Sequence, residues 1–279
     1  MSIRLHIVRS LKMCRRMLLL MRNYFAVSRQ FIGAYIIHPI MWAAGITNLL
    51  ERTDMKKYFT KSELILWYGS VTAIIAAFLI FNRGSYMTLI ASLIGVTSLI
   101  FNAKGNPFGQ VLMVIFSLLY GIISYKFAYY GEMVTYLGMT MPMAVIALVS
   151  WLKNPYKGNK SEVAVNQLKM SEYFFVAVLT ATVTVMFYFI LDYFNTANMF
   201  FSTLSVATSF FAVYLTFRRS PFYAVGYAAN DIVLIIMWIM AAKHNKSGIS
   251  VAVCFAAFLI NDLYGFINWK KMEKKQGEE

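Results

Sequence analysis

The sequence predicts an all-α integral membrane protein with eight transmembrane helices, and three observations predict it. Of its 279 residues, 59% are hydrophobic and only 14% are charged, whereas a soluble globular domain carries roughly a quarter charged residues. From Glu63 onward, apolar runs of about 20 residues, the length that crosses the hydrocarbon of a bilayer at 1.5 Å per residue, alternate with short polar linkers. Lys and Arg gather in those linkers, so the net charge of +14 reads as topology charge under the positive-inside rule. It is not a nucleic-acid footprint, and no nucleic-acid partner is expected.

Residues 1–62 come first and are basic, with seven Lys or Arg in the first thirty positions. The stretch LHIVRSLKMCRRMLLLMRNYF lacks the apolar core and small-residue cleavage site of a signal peptide. Two readings stand: an amphipathic helix on an anionic membrane face, or a poorly ordered stretch upstream of a true start at Met41 or Met55. Residues 31–50 are apolar, but His38-Pro39 interrupts them, because proline removes a helical hydrogen bond and disfavours helix before it. An interfacial or re-entrant segment is expected there.

The eight spans are read at 63–81, 86–102, 108–130, 134–152, 172–191, 197–217, 221–242 and 248–268. Their linkers include Asn82-Arg83-Gly84, Lys104-Gly105-Asn106-Pro107, Gly131-Glu132 and Arg218-Arg219-Ser220-Pro221. Counted across these spans, 22 of the 26 Lys and Arg fall on one side and 3 on the other. That asymmetry places both termini in the cytoplasm.

The chain repeats. NPFGQVLMVIFSLLYGIIS (106–124) aligns with SPFYAVGYAANDIVLIIMW (220–238) at an offset of 114, and VSWLKN (149–154) with INWKKM (267–272) at 118. Each offset spans four helices, and four crossings restore the original direction. The halves are therefore expected to be parallel repeats about an axis along the membrane normal, an architecture of transporters whose substrate sits near the midplane.

Enzyme signatures are missing: there is no HExxH, GxSxG, Walker loop or dinucleotide fingerprint. Cys14 and Cys254 lie in unlike settings and suggest neither a disulfide nor a metal site. His6, His38 and His244 all fall outside the spans. No cofactor is expected. The informative groups are the polar ones at membrane depth, which are rare because they are costly there. They are Gln110, Ser117 and Tyr120 on the third span; Tyr223, Tyr227, Asn230, Asp231 and Trp238 on the seventh; and Asn261, Asp262 and Tyr264 on the eighth. With the seventh span running out and the eighth returning, Asn230 and Asn261 come within about 5 Å of each other in depth. Amides that donate and accept, beside aromatic faces that attract cations, suit a flat cationic ring bearing hydroxyls. The competing reading is polar glue between helices, preferred for Asp231 and Asp262. Glu132, in an outer linker, is expected to be solvated or to cap the fourth span.

The pieces AKGN, FGQ, LLYGIISY, YYGEM, MPM and Trp151 within 103–151, followed by NDLYGFINW at 261–269, resemble the PnuC family of bacterial vitamin transporters over about residues 63–272. The resemblance implies the fold of the SWEET sugar transporters: two parallel three-helix repeats joined by a linker helix. The expected layout is a basic segment at 1–62, an extra transmembrane helix at 63–81 and a first repeat at 82–152. A loop and linker helix at 153–191, a second repeat at 192–269 and a tail at 270–279 follow. It also implies facilitated uptake of nicotinamide riboside by alternating access in the plasma membrane, with thiamine or riboflavin as the cargo of related branches. A homotrimer and a cytoplasmic kinase that phosphorylates the vitamin are implied as well. A non-transporting ligand sensor is the reading from another class. The substrate-binding residues implied on this reading are Gln110, Tyr120, Tyr223, Tyr227, Asn230, Trp238, Asn261 and Tyr264. One departure stands out: many riboside carriers show W-x-x-W-x-x-x-N where this chain has Tyr223, Gly226 and Asn230.

Overall fold

A computed structural model describes residues 58–126, 130–196, 198–243 and 245–278. The expectations for residues 1–57, including Cys14, His6 and the segment around His38-Pro39, lie outside the described residues, as does His244. Residues from Thr60 onward form one helical unit, and eight of its described helices are long and apolar enough to cross a membrane.

Helix α1 (Lys61–Phe81) opens on a capping box. The Thr60 hydroxyl accepts from the Glu63 backbone N–H at 3.3 Å, and the Glu63 carboxylate accepts from the Thr60 N–H at 2.7 Å, so two otherwise orphaned donors are satisfied. Helices α2 (Tyr86–Ala103) and α3 (Phe108–Lys126) follow, joined by Lys104–Pro107. The next span differs from expectation. It begins at α4 (Tyr130–Thr135), passes through a π-helical turn (Tyr136–Thr140) and continues as α5 (Met141–Lys153). Gly131-Glu132 is thus the start of a helix rather than a linker. In the π turn the Met141 N–H reaches back five residues to the Tyr136 carbonyl, and Pro142, which has no N–H to give, follows at once.

Beyond α5 the connection folds as a hairpin, β1 (Pro155–Tyr156) with β2 (Asn159–Val163). Helices α6 (Met170–Tyr193), α7 (Met199–Phe217) and α8 (Tyr223–Ala242) come next. Helix α9 (Gly248–Glu278) runs ten residues past the expected end of its span, so the segment read as a tail is helical. Helix α1 packs on α2 and α9, α6 on α7 and α8 on α9, while α2 also touches α9 and α5 touches α7. The outward faces are apolar, with Met170 83%, Phe174 74% and Phe189 66% exposed, as hydrocarbon rather than water demands.

The spacings read from the sequence recur in the hydrogen bonding at the hairpin end. Helix α2 ends with Gly105 at φ +64° and α7 ends with Arg219 at φ +59°. Gly105 N–H reaches Asn102 O at 2.9 Å and Asn106 N–H reaches Phe101 O at 3.0 Å; Arg219 N–H reaches Thr216 O and Ser220 N–H reaches Leu215 O, both at 3.0 Å. This is a left-handed helix ending made twice, 114 residues apart. Across the bundle, Trp269 donates its indole N–H to Asn102 O at 2.8 Å, and Trp151 donates to Thr216 O at 2.8 Å. Asn268 Nδ2 reaches Ala103 O at 2.7 Å, as Ser150 Oγ reaches Phe217 O at 2.9 Å. The two indoles are fully buried with ring centroids 5.3 Å apart. With Val163, Leu215, Tyr223, Ala224 and Met272 they fill that end of the bundle.

An ion pair stands at each of these helix ends, with the basic partners Lys104 and Arg218 again 114 residues apart. Glu63, in the first turn of α1 and 1% exposed, accepts from Lys104 at 3.1 and 3.2 Å. Glu172, in the first turn of α6, pairs with Arg218 through two parallel bonds, one from Nη2 at 2.9 Å. The carboxylate holds the Arg218 guanidinium above its usual range. Burial, with the neighbouring Arg218 charge, pushes Arg219 down.

Candidate functional site

Tyr120 on α3 is the centre of a buried aromatic cluster. Its ring lies 4.5 Å from Tyr136 on the π turn, 5.5 Å from Phe116, 5.9 Å from Phe255 and 6.4 Å from Trp238 between centroids. Helix α3 sets Phe116 and Tyr120 one turn apart, and the widened turn before Pro142 carries Tyr136 to meet them. Polar atoms are threaded through this apolar cluster. Ser117 Oγ and Ser124 Oγ are buried on one face of α3, and no protein group among the described residues bonds them; Tyr120 Oη, buried on the same face, is turned toward Glu132 and Trp238. Glu132 stands beside Tyr120 and Tyr136 with its Oε2 buried. Buried hydroxyls are paired in nearly all folded proteins, so a row of unpaired ones among aromatic faces is an arrangement suited to a hydroxyl-bearing ring.

The structure places the other sequence-derived candidates as follows. Trp238 belongs to the cluster. Asn230 is buried on α8, where its Oδ1 faces α7 and receives Ser205 Oγ at 3.1 Å, Thr208 Oγ1 at 3.0 Å and Ser209 Oγ at 3.0 Å. Asn261 turns to α1 instead, donating to Ser70 Oγ at 2.9 Å and to the Ala257 carbonyl at 2.7 Å, while its Oδ1 is buried without a partner among the described residues. Asp231 and Asp262 adjoin across α8 and α9. Gln110 is buried near the hairpin end and donates to Asn102 Oδ1 at 2.9 Å. Tyr223 packs on Trp269 with centroids 5.0 Å apart, and Tyr227 on Tyr223 at 6.1 Å. Tyr264 lies apart from the cluster and donates to Glu63 Oε1 at 3.1 Å.

Sequence reasoning does not find Tyr136, Phe116 or Phe255. Phe116 and Tyr120 at i, i+4, and Phe255 and Phe258 at i, i+3, carry the only local signal, and such pairs occur on any apolar helix. Of the two expectations for Glu132, the solvated linker is corrected, since one carboxylate oxygen is buried; the residue does stand in the first turn of the helix that opens the fourth span.

Residues 85–271 match the family model for nicotinamide mononucleotide transporters. The chain belongs to this family. It is a family of membrane transporters, so the protein is a multi-pass transporter and not an enzyme. It is 25% identical to the nicotinamide riboside transporter PnuC of Neisseria mucosa over 215 residues, 75% of this chain and 81% of the relative. To the nicotinamide riboside transporter PnuC of Haemophilus influenzae it is 22% identical over 192 residues, 68% of this chain and 82% of the relative. The crystal structure of the vitamin B3 transporter PnuC superposes with a TM-score of 0.69 at 23% identity, covering 78% of this chain and 94% of that one, and shares its fold. Gly226 lies at a close contact between two of these helices. A Cβ at that position would stand 2.9 Å from Ala212 Cα, so α7 and α8 meet backbone to backbone where a large ring has no room.

Proposed function

We propose that this protein carries nicotinamide riboside across the bacterial plasma membrane by facilitated diffusion, with both termini in the cytoplasm. The observation that carries the reading is the Tyr120 cluster with its unpaired buried hydroxyls. A pyridinium ring gains cation–π attraction from Tyr120, Tyr136 and Trp238, and the ribose hydroxyls supply partners for Ser117, Ser124 and Glu132. At a similar depth Asn261 offers its unpaired Oδ1, and Asn230, held to α7 through its Oδ1, offers its amide nitrogen. The relatives' names support the cargo. The doubled bonding pattern supports two three-helix units, 82–152 and 192–269, that rock about the site in alternating access. A homotrimer and a cytoplasmic kinase that traps the vitamin complete the proposal. Thiamine is the second reading, favoured by Tyr223 and Gly226 standing where riboside carriers have tryptophans, since it too presents a cationic ring.

Calorimetry of the purified protein with nicotinamide riboside, thiamine and riboflavin tests this. Tight binding of the riboside alone is expected, and binding of another vitamin alone changes the cargo. Binding of the riboside without flux into vesicles would make the protein a sensor and overturn the transport mechanism.

A further inference from the structure

A second binding site lies away from the Tyr120 cluster, at the hairpin end. A pocket of about 620 Å³ opens there, bounded by Asn166, Tyr173, Ser220, Phe222, Lys270 and Lys274. None of these residues belongs to the candidate substrate site. Lys270 and Lys274 continue a stripe on α9 whose preceding members are Ile260, Leu263 and Ile267, exposed to 57%, 53% and 54%. The spacing of 3, 4, 3 and 4 residues keeps all five on one face. That face is apolar for about 10 Å and then abruptly cationic, which is the profile of a hydrocarbon chain followed by a headgroup.

The pocket is organised around the charge. Lys270 Nζ sits 5.0 Å from the centroid of the Phe222 ring and 2.6 Å from Glu273. Phe222 is 38% exposed and is braced by Phe266 at 5.7 Å and by Tyr173 edge-on at 6.1 Å. Aromatic rings at the end of an apolar stripe are what anchors a protein at the headgroup level. Ser220 is 1% exposed at the wall. Asn166 is held by its own bonds, Nδ2 to Arg218 O at 3.1 Å and N–H to Arg219 O at 3.0 Å. Two lysines against Glu273 leave the lining with one net positive charge; Lys274 also meets Glu278 at 3.7 Å outside the lining, an exposed and weakly held pair that an anion can replace. That balance fits a single phosphodiester and disfavours a polyanion.

We propose that this pocket binds the phosphodiester headgroup of an anionic phospholipid, with the phosphate between Lys270 and Lys274 and an acyl chain along Ile267, Leu263 and Ile260. Basic recesses at helix ends hold lipid headgroups on the same physical grounds. The lipid joins the start of α6, the α7–α8 connection and the end of α9.

The test uses the full-length protein with native mass spectrometry, counting retained phosphatidylglycerol against phosphatidylcholine. The wild type keeps phosphatidylglycerol with at least a tenfold preference. Lys270→Glu with Lys274→Glu abolishes it. Lys271→Glu with Lys275→Glu, an equal charge change at exposed positions on the same helix outside the pocket, leaves it intact. The milder Lys270→Gln with Lys274→Gln gives the same loss in protein whose fold is undisturbed. Equal loss in both glutamate variants, or retention in the pocket variants, would overturn the proposal. Displacement of the lipid by millimolar glycerol 1-phosphate would also overturn it, because free phosphate would then be the ligand.

Discussion

Replacing Asn230 separates a clamp from a contact. Three hydroxyls of α7, from Ser205, Thr208 and Ser209, converge on its Oδ1 at 3.0–3.1 Å. A carbonyl oxygen has two lone pairs, and the Thr208 hydroxyl also lies within reach of the Leu204 and Ser205 carbonyls, so two full bonds at a time is the ceiling. Interhelical hydrogen bonds in a bilayer contribute roughly 0.6 kcal/mol on average and up to about 1.7, which sets the clamp at about 1–3 kcal/mol. Asn230→Ala is expected to cost that much in unfolding free energy. If the free amide nitrogen also meets the cargo, the same variant weakens riboside binding by roughly 5- to 150-fold, or 1–3 kcal/mol. Ser209→Ala is the matched control. It removes a donor to the clamp and leaves the amide nitrogen in place, so it lowers stability by roughly 0.6 kcal/mol and keeps the dissociation constant within about threefold of wild type. Calorimetry and unfolding in the same detergent read both quantities. Wild-type affinity in Asn230→Ala would refute the contact, and wild-type stability in it would refute the clamp.

Three further perturbations follow from the geometry. Trp151→Phe and Trp269→Phe each strip one buried N–H from a carbonyl at a helix end, and each should cost about 1–2 kcal/mol in detergent unfolding. The double variant should fall short of the sum because the rings touch, and single effects that differ by more than about 2 kcal/mol would contradict the equivalence of the two bonds. Gly226→Ala drives a methyl against Ala212 Cα and should destabilise by about 1–3 kcal/mol; an unchanged melting temperature would contradict the close approach of α7 and α8. Glu63→Gln breaks a pair whose acid is 1% exposed and should cost about 3 kcal/mol. Glu172→Gln, at a half-buried pair, should cost about 0.5–1 kcal/mol, and the reverse order would refute the burial argument.

The spans are legible in the sequence because hydrocarbon imposes length and apolarity at once, and Trp151 and Trp269 align because their linkers carry matching punctuation. The fourth span is legible only from its middle. Gly131-Glu132 has the composition of a turn, yet neighbouring helices shelter it, and the π turn depends on Pro142 acting on residues before it. The site is harder to read. Depth along a helix follows from counting residues, and Asp231 and Asp262, the neighbours of Asn230 and Asn261, do adjoin across α8 and α9. Azimuth does not follow from counting: Asn230 faces α7 and Asn261 faces α1. Tyr223 and Tyr227 share a helix face, and that face meets the buried indole of Trp269 at the hairpin end. Tyr264 reaches the carboxylate of Glu63, 201 residues earlier, a partner that no local pattern announces.

The reciprocal indole bonds have a consequence for biogenesis. Trp151 leaves the ribosome 65 residues ahead of the carbonyl that receives its N–H, while Trp269 finds an acceptor made 167 residues earlier. The early half of the chain therefore waits in the translocon's neighbourhood with an open end and an unoccupied indole. The late half supplies Thr216 first and Trp269 last, so the two ends close in turn. Premature chain termination between Trp151 and Thr216 leaves a fragment with an unbonded indole N–H at a helix end, a feature by which membrane quality control can tell a half-made transporter from a finished one.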